Sequence, residues 1–122
     1  VTAIHIPKTA THGQGYFHKL GARRYLVISI GMVALRLACD DNKNIIDIAI
    51  AVGACSKVAQ RLNDLELALR GQPLKTAADV VSAKYFADLS PIDDVRATAV
   101  YRIEGVQESL RRLLSMATPV VV

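Results

Sequence analysis

The chain has 122 residues, enough for about one domain, and its 52% apolar content supplies a packed core and excludes a disordered tail. It has no Trp, so Leu, Val, Ile and Ala fill that core. The net charge of +4 is unevenly placed: Lys8, Lys19, Arg23, Arg24 and Arg36 are the only formal charges before Asp40, which gives that stretch +5 and leaves the remainder at about −1.

A local basic lobe suits an anionic partner: a phosphate-bearing cofactor, a nucleic acid or an acidic protein surface. A solvated basic face without a partner is the plain alternative. The longest apolar run, Tyr25 to Leu35, is closed by Arg24 and Arg36 and falls short of the roughly 20 residues a membrane span needs. Val1 opens a polar segment rather than a secretory leader, and a first residue other than Met is expected of a fragment or a processed product. Cys39 and Cys55 read as two small buried hydrophobes in a reducing, cytoplasmic setting. Two thiols are too few for an iron–sulfur cluster, and no CxxC pair is present.

In chain order, Thr2 to Ile6 reads as a short extended segment stopped by Pro7. Lys8 to Gly15 reads as a loop, and Tyr16 to Arg24 as a polar-basic bridge with Gly21 inside it. Leu26 to Cys39 has the β-branched content of a long strand, with Leu26, Ile28, Ile30, Met32 and Ala34 on one face and Val27, Ser29, Gly31, Val33 and Leu35 on the other. The small Ser29 and Gly31 predict a close approach on their face or a bulge at Gly31. The polar Asp40–Asn44 segment then turns the chain, and Ile46, Ile48, Ile50 and Val52 alternate with Asp47, Ala49, Ala51 and Gly53, completing an antiparallel hairpin.

Helical signals follow. Leu62, Leu65 and Leu69 share a face within Arg61 to Arg70, with Gly71 as C-cap and Pro73 as stop. Thr76 with Asp79 resembles a capping box opening a second helix to about Leu89. A third helix is expected from Asp93 or Asp94, whose charges suit a helix start, with an apolar stripe of Ala99, Ile103, Val106, Leu110, Leu113 and Ala117. Arg111 and Arg112 suit its negative pole. Gly105 in mid-helix costs about 1 kcal/mol relative to Ala and predicts a close crossing with another backbone. Strands first and helices after predict an α+β fold: a small antiparallel sheet of three or four strands packed on three helices.

No self-sufficient catalytic set is visible. His5, His12 and His18 match no helical or strand face, so no metal site is expected. Gly13-Gln14-Gly15 lacks the rest of a dinucleotide fingerprint, and none of the serines sits in a GxSxG elbow. Asp93 and Asp94 read as capping and dipole partners rather than as a catalytic pair, and Asp93 or Asp94 is placed to pair with Arg96 or Arg102. Arg23 and Arg24 stand where guanidinium groups can reach phosphate or carboxylate.

Several pieces together resemble one family. They are Phe17-His18-Lys19-Leu20-Gly21-Ala22-Arg23-Arg24, the hairpin ending in Gly53-Ala54-Cys55-Ser56, Arg61-Leu62 with Glu66, Gly71-Gln72-Pro73-Leu74, Pro91-Ile92-Asp93-Asp94-Val95-Arg96 and Tyr101-Arg102. In this order they resemble the C-terminal domain of the FAD-binding subunit of molybdenum hydroxylases, the xanthine dehydrogenase and carbon monoxide dehydrogenase group. The resemblance implies the same α+β fold, with residues 1–15 as lead-in from an absent N-terminal FAD-binding domain, 16–117 as the C-terminal domain and 118–122 as a tail. It implies a part in an FAD-dependent oxidoreductase, not catalytic alone, that closes one side of the FAD site. Partners would be a molybdopterin-binding large subunit and an iron–sulfur small subunit, which hold the molybdenum–pterin and the iron–sulfur clusters. Lys19, Arg23, Arg24 and Ile28 are the cofactor-side residues it implies. A stand-alone basic module for nucleic acid or an acidic protein is the alternative, resting on the cations near Tyr16 and Phe17.

Overall fold

A computed structural model describes residues 1–119 and 121. Four antiparallel strands form a meander in the order β1-β2-β3-β4: β1 (Gln14–Leu20), β2 (Gly31–Cys39), β3 (Ile45–Gly53) and β4 (Gln60–Arg61). Three α-helices, α1 (Asn63–Leu69), α2 (Ala77–Val80) and α3 (Ala99–Met116), complete the fold, and α3 packs on β1 and β2 while α1 packs on β3. The expected α+β architecture is therefore the observed one.

The core follows from alternation along the strands. Val33, Leu35 and Leu37 of β2 and Ile48, Ile50 and Val52 of β3 are buried against Leu65, Leu69, Val106, Leu110 and Leu114 of the helices. The opposite sheet face carries Phe17, Ala34, Ala49 and Ala51 and stays open. The Asp40–Asn44 turn holds itself together, because the Asp40 carboxylate accepts from the backbone amides of Asn42 at 2.9 Å and Asn44 at 2.8 Å. The strand pairing slips by one residue after it: Ala38 faces Asp47 and Cys39 faces Ile45. Ile46 is left without a partner, so Ile45 takes the core position expected of Ile46, which is 50% exposed.

Four expectations change. The segment read as loop and basic bridge contains a full strand, β1, whose Tyr16, His18 and Leu20 turn toward α3 while Phe17 and Lys19 face out. The long strand is shortened: it starts at Gly31, because the Ile30 amide donates to the Leu20 carbonyl at 2.8 Å and closes residues 21–30 into a hairpin loop. Leu26 has φ 50° in that loop and is exposed. The second helix breaks into a turn at Leu74–Thr76, the one-turn α2 and a turn at Ala83–Phe86. Thr76 Oγ1 donates back to the Pro73 carbonyl at 3.3 Å, so no capping box forms. Val81 and Phe86 are both buried, which one straight helix cannot achieve when residues five apart point roughly 140° from each other. The third helix starts at Thr98 rather than at Asp93 or Asp94, with Thr98 Oγ1 accepting from the Tyr101 amide at 3.1 Å.

The close approach expected at Gly31 is present, and the irregularity in β2 lies at Ala38/Cys39 instead. A Cβ on Gly31 would stand 2.6 Å from Val106 Cγ1, with the Arg102 carbonyl also near. Gly31→Ala is expected to cost about 1–2 kcal/mol, because Val106 is stiff and the helix must move to make room; a thermal melt that matches wild type would show that the helix yields freely. Gly105 is also crowded, but by the Leu20 side chain at 2.5 Å and not by a backbone. Of the α3 stripe, Val106 and Leu110 are fully buried and Ile103, Leu113 and Ala117 partly so. Arg111 Nη2 donates to the Val81 carbonyl at 3.0 Å, and Arg112 pairs with Glu108. In the C-terminal segment the Thr118 amide donates to the Tyr16 hydroxyl at 3.1 Å and Val121 bridges Cys39; Val120 and Val122 of the expected tail lie outside the described residues.

Candidate functional site

Loop 21–30, the connection between β3 and β4 and the segment leading into α3 meet at one end of the sheet. A cleft of about 540 Å³ opens between them, lined by Ile28 and Ser29 from the loop, Ala54 and Lys57 from the connection, and Ile92 and Arg96 from the lead into α3. The Asp94–Arg102 pair forms part of its wall. Ile28 and Ile92 are more than half exposed here and give the cleft an apolar lip, while the Asp94–Arg102 pair is the withdrawn charged part of its lining.

Arg102 comes from the first turns of α3 and is only 3% exposed. Its Nη2 donates to Asp94 Oδ1 at 2.7 Å, Nη1 to the Ile30 carbonyl at 2.7 Å and Nε to the Ile92 carbonyl at 3.1 Å. Asp94 also accepts from the Arg96 amide at 2.9 Å and the Arg96 guanidinium at 2.7 Å. The Arg96 amide, with help from the Arg96 and Arg102 guanidinium groups and the Ala97 amide, holds the Asp94 carboxyl well below the usual range against the opposing effect of burial. The pairing of Asp94 with Arg96 and Arg102 matches the expectation for this motif. The reach of Arg102 to three backbone segments was not signalled by any local pattern.

The four residues implied as cofactor-side are gathered by loop 21–30, in different ways. Lys19, at the end of β1, donates through Nζ to the Val27 carbonyl at 2.7 Å. Arg23 donates through Nη2 to the Leu26 carbonyl. Arg24 lies over the Tyr25 ring, 5.2 Å from its centroid. These cations bind their own loop in the free chain, which gives little support to a stand-alone basic module. Ile28 was expected on a strand face; it stands instead on the loop, 62% exposed at the lip of the cleft.

Other candidates gather no chemistry. Cys39 and Cys55 are free and buried, and burial pushes both thiols up, which keeps them protonated and inert. Among the described residues no three His, Cys, Asp or Glu side chains come together as metal ligands, and no helix is long and apolar enough to cross a membrane. His18 Nδ1 lies 2.9 Å from Ser109 Oγ, but that hydroxyl also donates to the Gly105 carbonyl of its own helix at 2.7 Å. The hydroxyl is thus bonded to the backbone of its own helix, the usual place of a serine in a helix interior.

Residues 16–117 match the family model described as the CO dehydrogenase flavoprotein C-terminal domain. The chain belongs to that family. It is 35% identical over 115 residues to the nicotine 6-hydroxylase medium subunit of Paenarthrobacter nicotinovorans, a match covering 93% of this chain and 39% of the relative. The chain thus spans well under half the length of that curated relative. Among solved structures, the fold resembles a chain of carbon monoxide dehydrogenase from Hydrogenophaga pseudoflava, with TM-score 0.70 and 22% identity over 88% of this chain and 37% of that one. It also resembles a chain of quinoline 2-oxidoreductase from Pseudomonas putida 86, with TM-score 0.71 and 18% identity over 86% of this chain and 36% of the other. At these identities the likeness to the two enzymes is one of fold.

Proposed function

We propose that this chain is the C-terminal domain of the FAD subunit of a molybdenum-containing hydroxylase or dehydrogenase. It closes one side of the FAD site with loop 21–30 and docks a molybdopterin-binding large subunit and an iron–sulfur small subunit. The main support is the family match over residues 16–117, together with a nicotine hydroxylase medium subunit as relative. Residues 1–15 are then the lead-in from an N-terminal FAD-binding part.

The residues present fit part of a flavin site and not the whole. An exposed apolar side chain, Ile28, stands at the lip of an open cleft, and Lys19, Arg23 and Arg24 contact Val27, Leu26 and Tyr25 of the same loop. No glycine-rich phosphate-binding fingerprint occurs in the sequence. Flavin, when bound, supplies the electron-carrying chemistry. The part of this chain is to exclude water from one side with Ile28 and to present cations that favour negative charge nearby. Lys19 and Arg23 already donate to loop carbonyls while keeping their charge, so they contribute field more than direct contacts.

The isolated chain is expected to bind FAD weakly or not at all, measured by fluorescence titration. Tight one-to-one binding would contradict the division of the flavin site between two domains. The native protein purified through this chain is expected to be a subunit more than twice this length, yellow with flavin, and accompanied by iron and molybdenum. A colourless, metal-free protein of this size would overturn the proposal.

A further inference from the structure

Arg102 raises a question that core stability does not answer. A buried guanidinium and its carboxylate are seldom better for stability than apolar side chains of similar volume. The contacts of Arg102 point to another role. Its Nη1 meets the carbonyl of Ile30 at 2.7 Å and stands 3.5 Å from those of Ser29 and Ala54. Ser29 and Ile30 are the exit of loop 21–30, and Ala54 opens the β3–β4 connection with φ 62°. Nε and Nη2 hold Ile92 and Asp94, in the lead to α3. One rigid fork therefore ties the loop exit to the rest of the cleft.

The loop has other anchors at its exit, where the Ile30 side chain is buried and Ser29 Oγ lies 3.8 Å from Met32 Sδ, but few before it. Its exit amide, Ile30 N, donates to Leu20 at 2.8 Å. Inside it, Lys19 and Arg23 bond to Val27 and Leu26, and both of those cations are exposed. Tyr25, Leu26 and Ile28 project into solvent. The buried attachment of the exit carbonyls is the one made by Arg102.

We infer that the Asp94–Arg102 pair is a positioning latch for loop 21–30, which sets where Ile28 stands over the cleft. Arg102 acts through the loop backbone and Asp94 acts through Arg102, so both are positioning residues. The meaning of the latch for flavin rests on the function proposed above; the latch itself does not.

The test uses the intact flavoprotein that carries this domain, with Arg102→Lys and Asp94→Asn. Two quantities are read: amide hydrogen exchange across residues 22–30, with Val33–Leu37 of β2 as the measure of global stability, and the FAD dissociation constant. Arg102→Lys keeps the charge and loses the fork. Loop exchange is expected to rise roughly tenfold, the equivalent of one charge-assisted hydrogen bond, because opening the loop breaks the Arg102 contacts; β2 exchange reports the accompanying loss of global stability. The FAD dissociation constant is expected to rise in parallel. Arg112→Ala, which removes an exposed pair with Glu108, is expected to change neither.

Unchanged loop exchange in both variants overturns the latch. So does a rise in β2 alone, which would mean that the loop opens without breaking the Arg102 contacts and that Arg102 stabilises only the fold as a whole. A loosened loop with unchanged FAD affinity supports the latch and overturns the assignment of loop 21–30 to the flavin side. If wild type holds no FAD, the proposed function fails and the exchange result alone decides the latch. Should Arg102→Lys fail to fold, Asp94→Asn carries the same two readouts, because Asn keeps the turn at Arg96 and Ala97 while removing the charge that orients Arg102.

Discussion

Arg102→Ala is expected to lower the unfolding free energy by about 2–3 kcal/mol, chiefly because buried backbone carbonyls lose their donor. The side chain is 3% exposed, and its fork donates to Asp94, Ile30 and Ile92 at 2.7–3.1 Å. Truncation leaves two carbonyls and a carboxylate facing a void. Arg96 still holds Asp94 from the solvent side, which limits the damage there. Urea unfolding of the chain and its variant checks the size; a loss below about 1 kcal/mol would mean that water replaces the fork without cost.

The same variant carries a pH signature. The folded-state pKa of Asp94 is depressed, so the stability it contributes is fully present above the ordinary carboxylate pKa of about 4 and is lost as pH falls below it. Removing Arg102 removes part of that depression. The gap in stability between wild type and Arg102→Ala is therefore widest near neutral pH and narrows on acidification. A gap that stays constant from neutrality down through the acid range would assign the loss to packing and not to charge.

Glu66→Ala is expected to cost about 2–4 kcal/mol, chiefly because a buried amide loses its acceptor. Glu66 is 4% exposed on α1. Its Oε1 accepts from the Ile50 amide at 2.8 Å and from Arg61 Nε at 2.7 Å, and Oε2 accepts from Arg61 Nη2 at 2.7 Å. Ile50 sits in the middle of β3, beyond the end of the short β4, so the carboxylate takes the place of a missing strand neighbour. The Arg61 half of the arrangement matters less, because its side chain is 51% exposed and turns to solvent once released. Glu66→Gln keeps an acceptor for Ile50 and is expected to lose only about 1 kcal/mol. Thermal unfolding of the two variants separates these contributions; equal losses would show that the charge, and not the acceptor, holds α1 to the sheet.

These two residues stand in different parts of the fold. Glu66 closes the far edge of the sheet, away from the cleft, and its loss should act on stability alone. Arg102 lies in the wall of the cleft and joins the segments that shape it. Both belong to motif pieces that led to the family from the sequence.

What could be read from the residues alone was local. Leu62, Leu65 and Leu69 with Gly71 and Pro73 defined α1 and its end within two residues, because a short helix and its stop are coded by near neighbours. The second hairpin was equally plain, since Asp40–Asn44 makes its own turn and the isoleucines of β3 alternate. The family, too, was legible, from ordered motif pieces. The contacts of the candidate site were less so. The pairing of Asp94 with Arg96 and Arg102 could be anticipated from spacing, but the carbonyls of Ile30 and Ile92 as further partners could not.

Tertiary structure decided the rest, and the reason is the same each time. β1 is polar and basic enough to read as a bridge; it becomes a strand because β2 offers it a register from Gln14↔Leu37 to Leu20↔Gly31 and α3 covers its inner face. Tyr25 to Ile28 has strand composition, yet the closure of Leu20 on Ile30 leaves it as a loop. The second helix breaks because Val81 and Phe86 both find the core. Pattern along a chain reports which residues need burial or hydrogen-bond partners; which partner each one meets is set by elements distant in sequence, and only their packing brings Arg102 to the exit of loop 21–30.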